Sequence, residues 1–192
     1  MAYAATSLAE LKSIMEAYDG CALKRTCQTT VFGDGSATAR VMIVGEAPGA
    51  DEDRIGRPFV GASGRLLDRM LAAIGLDRRG TYIANTVYWR PPGNRKPTDA
   101  EVALCLPFVR RQVELARPKV LVLSGAAAMQ RLLDRTEGIG RLRGRWVDYP
   151  LADGTVVPAI ATFHPAYLLR SPLQKREAWR DMLAVKRKLS EV

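Results

Sequence analysis

Four short apolar runs, separated by stretches with helical period, constrain this chain more than any other feature. They lie at about 40–45, Thr81–Asn85, Lys119–Ser124 and Thr155–Thr162. Runs this short and this apolar read as buried strands, and strands alternating with helices predict a mainly parallel sheet covered on both faces. The expected architecture is α/β, a three-layer α/β/α sandwich around a central, mainly parallel four-stranded sheet. At 192 residues with 47% hydrophobic content, the chain fits a single domain spanning 1–192. No repeat, low-complexity tract or interdomain linker interrupts it.

The helical stretches carry their own start and stop signals. Ser7-Leu8-Ala9-Glu10 has the form of a capping box ahead of Leu11, Ile14, Met15 and Tyr18, so the chain is expected to open with a helix. Leu66, Leu67, Met70, Leu71 and Ile74 mark a second helix, stopped by Gly75. Thr98-Asp99-Ala100-Glu101 caps a third, presenting Val102, Cys105, Leu106, Val109 and Val113 before Pro118 ends it. Gly125 leads into a short Ala-rich helix. Asp153-Gly154, between Trp146–Tyr149 and Thr155–Thr162, is a hairpin signal whose second arm becomes the fourth core strand. Ser171-Pro172 has the form of an N-cap with proline at the first helical position, opening a last helix with Trp179, Met182 and Leu183 inward.

Function enters where the first strand ends. Val41-Met42-Ile43-Val44 empties into a Gly/Pro-bent stretch, read as a loop, that carries Glu46, Asp51, Glu52 and Asp53, with Pro48 and Pro58 to stiffen it and Phe59 as its aromatic. In an open α/β sheet the crevice beyond the carboxyl ends of the strands is where ligands bind. A solvated loop anchored by Phe59 is the plainer alternative. His164, the only histidine, follows the fourth strand and so falls on the same sheet edge as Glu46 to Asp53 and Asn85. A carboxylate cluster, an amide and an imidazole each follow a separate strand. Asn85 can read a base edge with one donor and one acceptor, Phe59 can stack on a base, and His164 can donate to a developing anion.

Charge points to a polyanionic partner. Lys and Arg number 29 against 20 Asp and Glu, a net charge of +9, and the excess sits in Arg78-Arg79, Arg90 to Lys96, Arg141 to Arg145 and Lys175 to Lys188. Such patches attract phosphate backbones; basic helix faces on an ordinary soluble protein are the alternative. No apolar stretch approaches the roughly 20 residues of a membrane span, and no signal segment opens the chain. Three cysteines, Cys21, Cys27 and Cys105, form no disulfide framework, so the expected location is cytoplasmic. No P-loop pattern occurs.

Gly45-Glu46-Ala47-Pro48-Gly49, Glu52-Asp53, Gly56-Arg57-Pro58-Phe59-Val60-Gly61, Asn85, Arg90-Pro91-Pro92-Gly93-Asn94-Arg95 and His164-Pro165 together resemble a uracil-DNA glycosylase of the family-four type. The resemblance runs from about Asp19 to the C-terminus. It implies a base-excision-repair hydrolase that cleaves the N-glycosidic bond of deoxyuridine in single- or double-stranded DNA and leaves an abasic site, expected here as a monomer without membrane attachment. On that reading Glu52 and His164 are catalytic. Glu46 and Ala47 through their backbone, with Phe59 and Asn85, hold the extruded base, and Asp53 supports them. Arg90 and Arg95 contact DNA, and Leu168, Leu169 and Arg170 are candidate wedge residues, although Leu168 and Leu169 fit core contacts equally well.

The chain departs from that family in one respect. Family-four enzymes bind a [4Fe–4S] cluster through four cysteines. The matching positions here hold Tyr18, Cys21, Trp89 and Cys105, with Cys27 at the wrong spacing. The expectation is a branch with no cluster and no metal, its space filled by the two aromatic rings. Two further classes stay open. A non-catalytic binder of damaged or single-stranded DNA would need the basic surface but not Glu52, Asn85 and His164 together. A covalent uracil trap, as in relatives with an Arg-rich insertion and an extra histidine, lacks a nucleophile in a chain whose only histidine is His164.

Overall fold

The structure, a computed structural model, describes residues 1–192. Its elements are α1 Leu8–Ala17, β1 Asp34–Gly35, β2 Val41–Gly45, α2 Ala50–Ile55, α3 Ala62–Ala73, β3 Thr81–Asn85 and α4 Asp99–Ala116. They continue with β4 Val120–Ser124, α5 Ala126–Leu133, α6 Ile139–Leu142, β5 Trp146–Pro150, β6 Val156–Thr162, α7 Pro165–Arg170 and α8 Lys175–Glu191. No helix is long and apolar enough to cross a membrane.

The strands form one six-stranded sheet in the order β1-β3-β2-β4-β6-β5. β3, β2, β4 and β6 run parallel, whereas β1 and β5 pair antiparallel at the two edges. The expected four-stranded sheet is therefore the centre of a larger one. The sequence hid only one edge: β1 is two residues inside an irregular stretch, whereas β5 is the first arm of the expected hairpin and pairs along its length with β6 from Trp146↔Ile160 to Pro150↔Val156. The three layers follow from strand alternation. Met42, Val44, Tyr82, Ala84, Leu121 and Leu123 pack against α1, α4 and α5, while Val41, Ile43, Ile83, Val120 and Val122 face α3 and α8.

Caps fix where the helices begin. Ser7 Oγ accepts from Glu10 N at 3.2 Å, but the Glu10 carboxylate turns to Thr6 N and Oγ1, at 2.8 and 2.9 Å, so only half of the expected box forms. At α4 the box is complete, with Thr98 Oγ1 accepting from Glu101 N at 3.2 Å and Glu101 from Thr98 N at 2.8 Å. The last helix departs from expectation. Ser171 makes no side-chain cap, a 3-10 turn at Pro172–Gln174 intervenes, and α8 starts at Lys175. Its buried stripe is Ala178, Asp181, Met182 and Val185, which leaves Trp179 42% exposed rather than inward.

Candidate active site

Gly45 pairs with Asn85 at the ends of β2 and β3, and Ser124 with Thr162 at the ends of β4 and β6. The segments leaving all four parallel strands therefore emerge along one edge. A cavity of about 450 Å³ opens there, lined by Glu46, Ala47, Glu52, Phe59, Asn85 and His164, together with Arg95 and Arg170. Beside it lies a hollow of about 310 Å³ that shares Glu46 and His164 and is lined by Lys96 and Arg131.

The acidic stretch is not the expected loop. Ala50–Ile55 is a short helix with Asp51, Glu52 and Asp53 in its first turn, and it ends at Gly56 with φ 78°. Carboxylates at that end complement the helix dipole, and Glu52 reaches back to cap it. Glu52 is buried, 8% exposed, and its carboxylate accepts from Gly49 N at 3.0 Å, Val60 N at 2.8 Å and Gly61 N at 2.9 Å. Three donors occupy three of the roughly four acceptor sites of an ionised carboxylate, leaving about one for a water. Asp53 faces away from the cavity: its Oδ1 accepts from Gln28 N at 2.8 Å and Thr29 N at 3.1 Å, tying the segment before β1 to α2.

Phe59 sits at φ 53°, a left-handed conformation that costs on the order of 1–3 kcal/mol for a non-glycine residue and persists only where its surroundings enforce it. Arg78 supplies that enforcement. It donates to the Phe59 carbonyl, to the Pro58 carbonyl at 3.0 Å, and to Asp34 at 2.9 Å, which also pairs with Arg57 at 2.8 Å. Gly45 makes room on the other side, since a Cβ there would lie 2.5 Å from the Phe59 ring and 2.6 Å from Asn85 Oδ1. Asn85 is buried at the end of β3, faces the cavity, and makes no side-chain hydrogen bond within the protein.

His164 caps α7, its Nδ1 accepting from Ala166 N at 3.1 Å. In the neutral ring the proton therefore sits on Nε2, free to donate to a ligand. The imidazole stacks on Phe59, with centroids 5.3 Å apart and planes at 28°. Burial, and then the nearby Arg170 cation, pull its pKa down to about 4. Protonation would also set a second N–H against the Ala166 N–H. The site thus presents an anion, an open amide, an aromatic face and a neutral N–H donor around one cavity.

The family model of the uracil DNA glycosylase superfamily matches residues 32–183. The chain belongs to that superfamily. It is 37% identical to the type-4 uracil-DNA glycosylase of Pyrobaculum aerophilum over 179 residues, covering 91% of each chain. The type-4 enzyme of Thermotoga maritima is 42% identical over 79% of this chain and 77% of its own, and that of Archaeoglobus fulgidus 42% over 84% and 82%.

Not every expected residue of this superfamily member reaches the cavity. Leu168 is 1% exposed and packs with Leu66 and Ala178, which corrects its candidacy as a wedge; Leu169, 41% exposed, is the leucine of that pair that faces solvent. Arg90 donates to Asn94 Oδ1 at 2.7 Å and stays outside the lining. Arg95 lines the cavity but is held bidentately by Glu101 at 2.8 and 2.6 Å, and this pairing draws the Glu101 pKa down to about 2. Ser63 and Tyr167 also line the cavity and were not foreseen. Arg78 read as part of a basic surface patch. Gly45 carried a usable signal, because a glycine closing a buried strand marks a close approach of neighbours.

The corner where a four-cysteine cluster would sit does not fit one. Tyr18 and Trp89 stack there with centroids 6.4 Å apart, Tyr18 also meets Phe108 at 5.4 Å, and the Trp89 indole donates to Thr30 Oγ1 at 2.9 Å. Cys21 and Cys105 are buried, and each perturbs the other: the Cys21 thiol is drawn down to about 7 by its neighbour, and the Cys105 thiol is pushed up by Cys21 and by burial. Cys27 lies against the Lys24 carbonyl, its Sγ 3.3 Å away. No group of three His, Cys, Asp or Glu side chains converges to hold a metal ion.

Proposed function

We propose that the chain hydrolyses the N-glycosidic bond of uracil in DNA, leaving an abasic site, and that it acts as a cytoplasmic monomer. The observation that carries this reading is the convergence of Glu52, Phe59, Asn85 and His164 on one cavity at the carboxyl edge of the sheet. The type-4 enzymes to which the chain is similar bear the name of that activity. The target nucleotide leaves the duplex, its base slides along the Phe59 face, and the free Asn85 amide pairs with its Watson–Crick edge. As the bond breaks, its electron pair leaves with uracil and positive charge grows on the sugar. The fixed Glu52 anion favours that charge and holds at its remaining acceptor site the water that adds to the sugar C1′ and gives up a proton, while His164 Nε2–H, itself uncharged, donates to an oxygen of the departing uracil anion, which takes up a proton on release. Arg170, Lys96 and Arg131 supply cations toward the phosphates.

The direct test is abasic-site formation on a uracil-containing oligonucleotide, with no added metal or nucleotide. Purified protein that binds the oligonucleotide yet releases no uracil would favour the plain DNA binder instead. A panel of modified bases in single and double strands defines the substrate range.

Base choice and pH give two further expectations. Asn85→Asp replaces the donor to uracil O4 by an acceptor, so uracil excision is lost and weak cytosine excision can appear; unchanged uracil kinetics would show that Asn85 does not read the base. The folded His164 pKa of about 4 lies below the ordinary imidazole value of about 6.5, so the ring stays neutral as pH falls through 6.5 and charges only on approach to 4. The single-turnover rate should show no His164 inflection near 6.5. An inflection there in wild type that vanishes in His164→Gln would contradict the neutral-donor role.

We also propose that the active protein carries no iron–sulfur cluster. The stacked Tyr18 and Trp89 rings, the Phe108 contact of Tyr18 and the Trp89–Thr30 hydrogen bond support this. Only two thiols stand where Cys₄ ligation requires four.

A further inference from the structure

We propose that Arg143 and Asp181, both outside the cavity lining, form a positioning pair for His164. This rests on the role given to His164 above. The three residues before that histidine are each held by the pair or by its immediate neighbour. The Ala161 carbonyl accepts from Gly144 N at 2.9 Å, and Arg143 bridges to Ala161. Thr162 Oγ1 donates to Asp181 Oδ2 at 2.8 Å. The Phe163 ring lies under the Arg143 guanidinium, 5.4 Å from centroid to Cζ. The pair therefore grips the whole run that delivers His164 to the site.

Arg143 donates Nε and Nη2 to the two Asp181 oxygens at 3.1 and 2.6 Å, and reaches the Glu177 carboxylate at 3.0 Å and the Glu177 carbonyl at 2.8 Å. The Asp181 side chain is 2% exposed and that of Arg143 15%. Gly144, at φ 72°, is kept free of a Cβ that would meet Asp181 Oδ1 at 2.7 Å. A buried ion pair adds little net stability over apolar residues of the same shape, and a forked guanidinium–carboxylate pair fixes orientation instead. Met182 and Val185 already bind α8 to the sheet through apolar contact, and Ala178 binds it to Leu66 and Leu168. Orientation matters here because His164 must stack on Phe59 and aim Nε2–H at one oxygen, and a misplacement of about 1 Å costs on the order of 10²-fold in rate.

The test is a double-mutant cycle. Arg143→Lys keeps the charge but loses the fork. In single-turnover uracil release it should be slower than wild type by about 10–100-fold, with DNA affinity unchanged and with no further loss when added to His164→Ala. Thr162→Val, which deletes only the link from β6 to Asp181, should act in the same way and more weakly, and it serves if Arg143→Lys does not fold. Equal losses in the wild-type and His164→Ala backgrounds would make the pair merely structural and overturn the proposal, as would folded variants with wild-type rates. Absence of uracil release by the wild-type protein would instead sink the functional reading itself.

Discussion

Glu52→Ala and His164→Ala should each slow uracil release by roughly 10²–10⁴-fold, the range expected for groups that position water or stabilise a departing anion. The two losses have different physical origins. Glu52→Ala removes a buried carboxylate from the cavity lining, and it also strips Gly49, Val60 and Gly61 N–H of their acceptor. Orphaned buried donors cost on the order of 1–3 kcal/mol each, so this variant should unfold at lower denaturant as well. His164→Ala removes a neutral donor and the Phe59 stacking partner, and frees only the Ala166 N–H at the start of α7. Rates are therefore compared under single-turnover conditions where circular dichroism shows each variant folded, with DNA affinity measured in parallel. A folded variant of either kind with a wild-type rate would remove that residue from the chemistry.

Trp89→Ala should destabilise the fold by roughly 3–5 kcal/mol, the range for deleting a large buried aromatic. Trp89 is fully buried, stacks on Tyr18, meets the Tyr88 ring edge-on at 6.2 Å, and satisfies Thr30 through its indole N–H. Truncation empties that volume and leaves Thr30 without its donor. Urea denaturation midpoints measure the loss, and a change below about 1 kcal/mol would mean that the corner collapses freely. The wild-type protein should purify colourless, with iron and sulfide well below one equivalent even under anaerobic conditions, and Cys21→Ser/Cys105→Ser should stay active. A brown anaerobic preparation with about four iron atoms per chain would reverse the cluster-free reading and make Cys27 the first ligand to test.

The site residues that could be read from sequence were those whose position follows from chain order. Glu52, Asn85 and His164 each come after an apolar run, and parallel strands carry their following segments to one edge. Residues whose role depends on contacts distant in sequence could not be read. Asp53 sits beside Glu52 but turns to Gln28 and Thr29. Arg78 holds Phe59 from 19 residues away. The acidic stretch passed for a loop because its helix is capped by one of its own carboxylates. On α8, Asp181 occupies the buried stripe, so a polar residue disguised the helix phase and pushed the expected inward face onto Trp179. Arg143 and Thr162 make that aspartate tolerable inside, and nothing local to α8 announces them.

On the cluster-free reading proposed above, the ring-filled corner also changes what the protein depends on. A fold closed by a metal cluster is finished only when the cell delivers iron and sulfide, because metal binding is then part of the folding free energy. A corner closed by Tyr18 and Trp89 is finished by translation alone. Iron starvation would not leave such a chain half-assembled, and oxidants that dismantle clusters would find two carbon rings instead. The weakness moves elsewhere: with no covalent tie among α1, α4 and the segment after β3, that junction is only as durable as the packing of its aromatics.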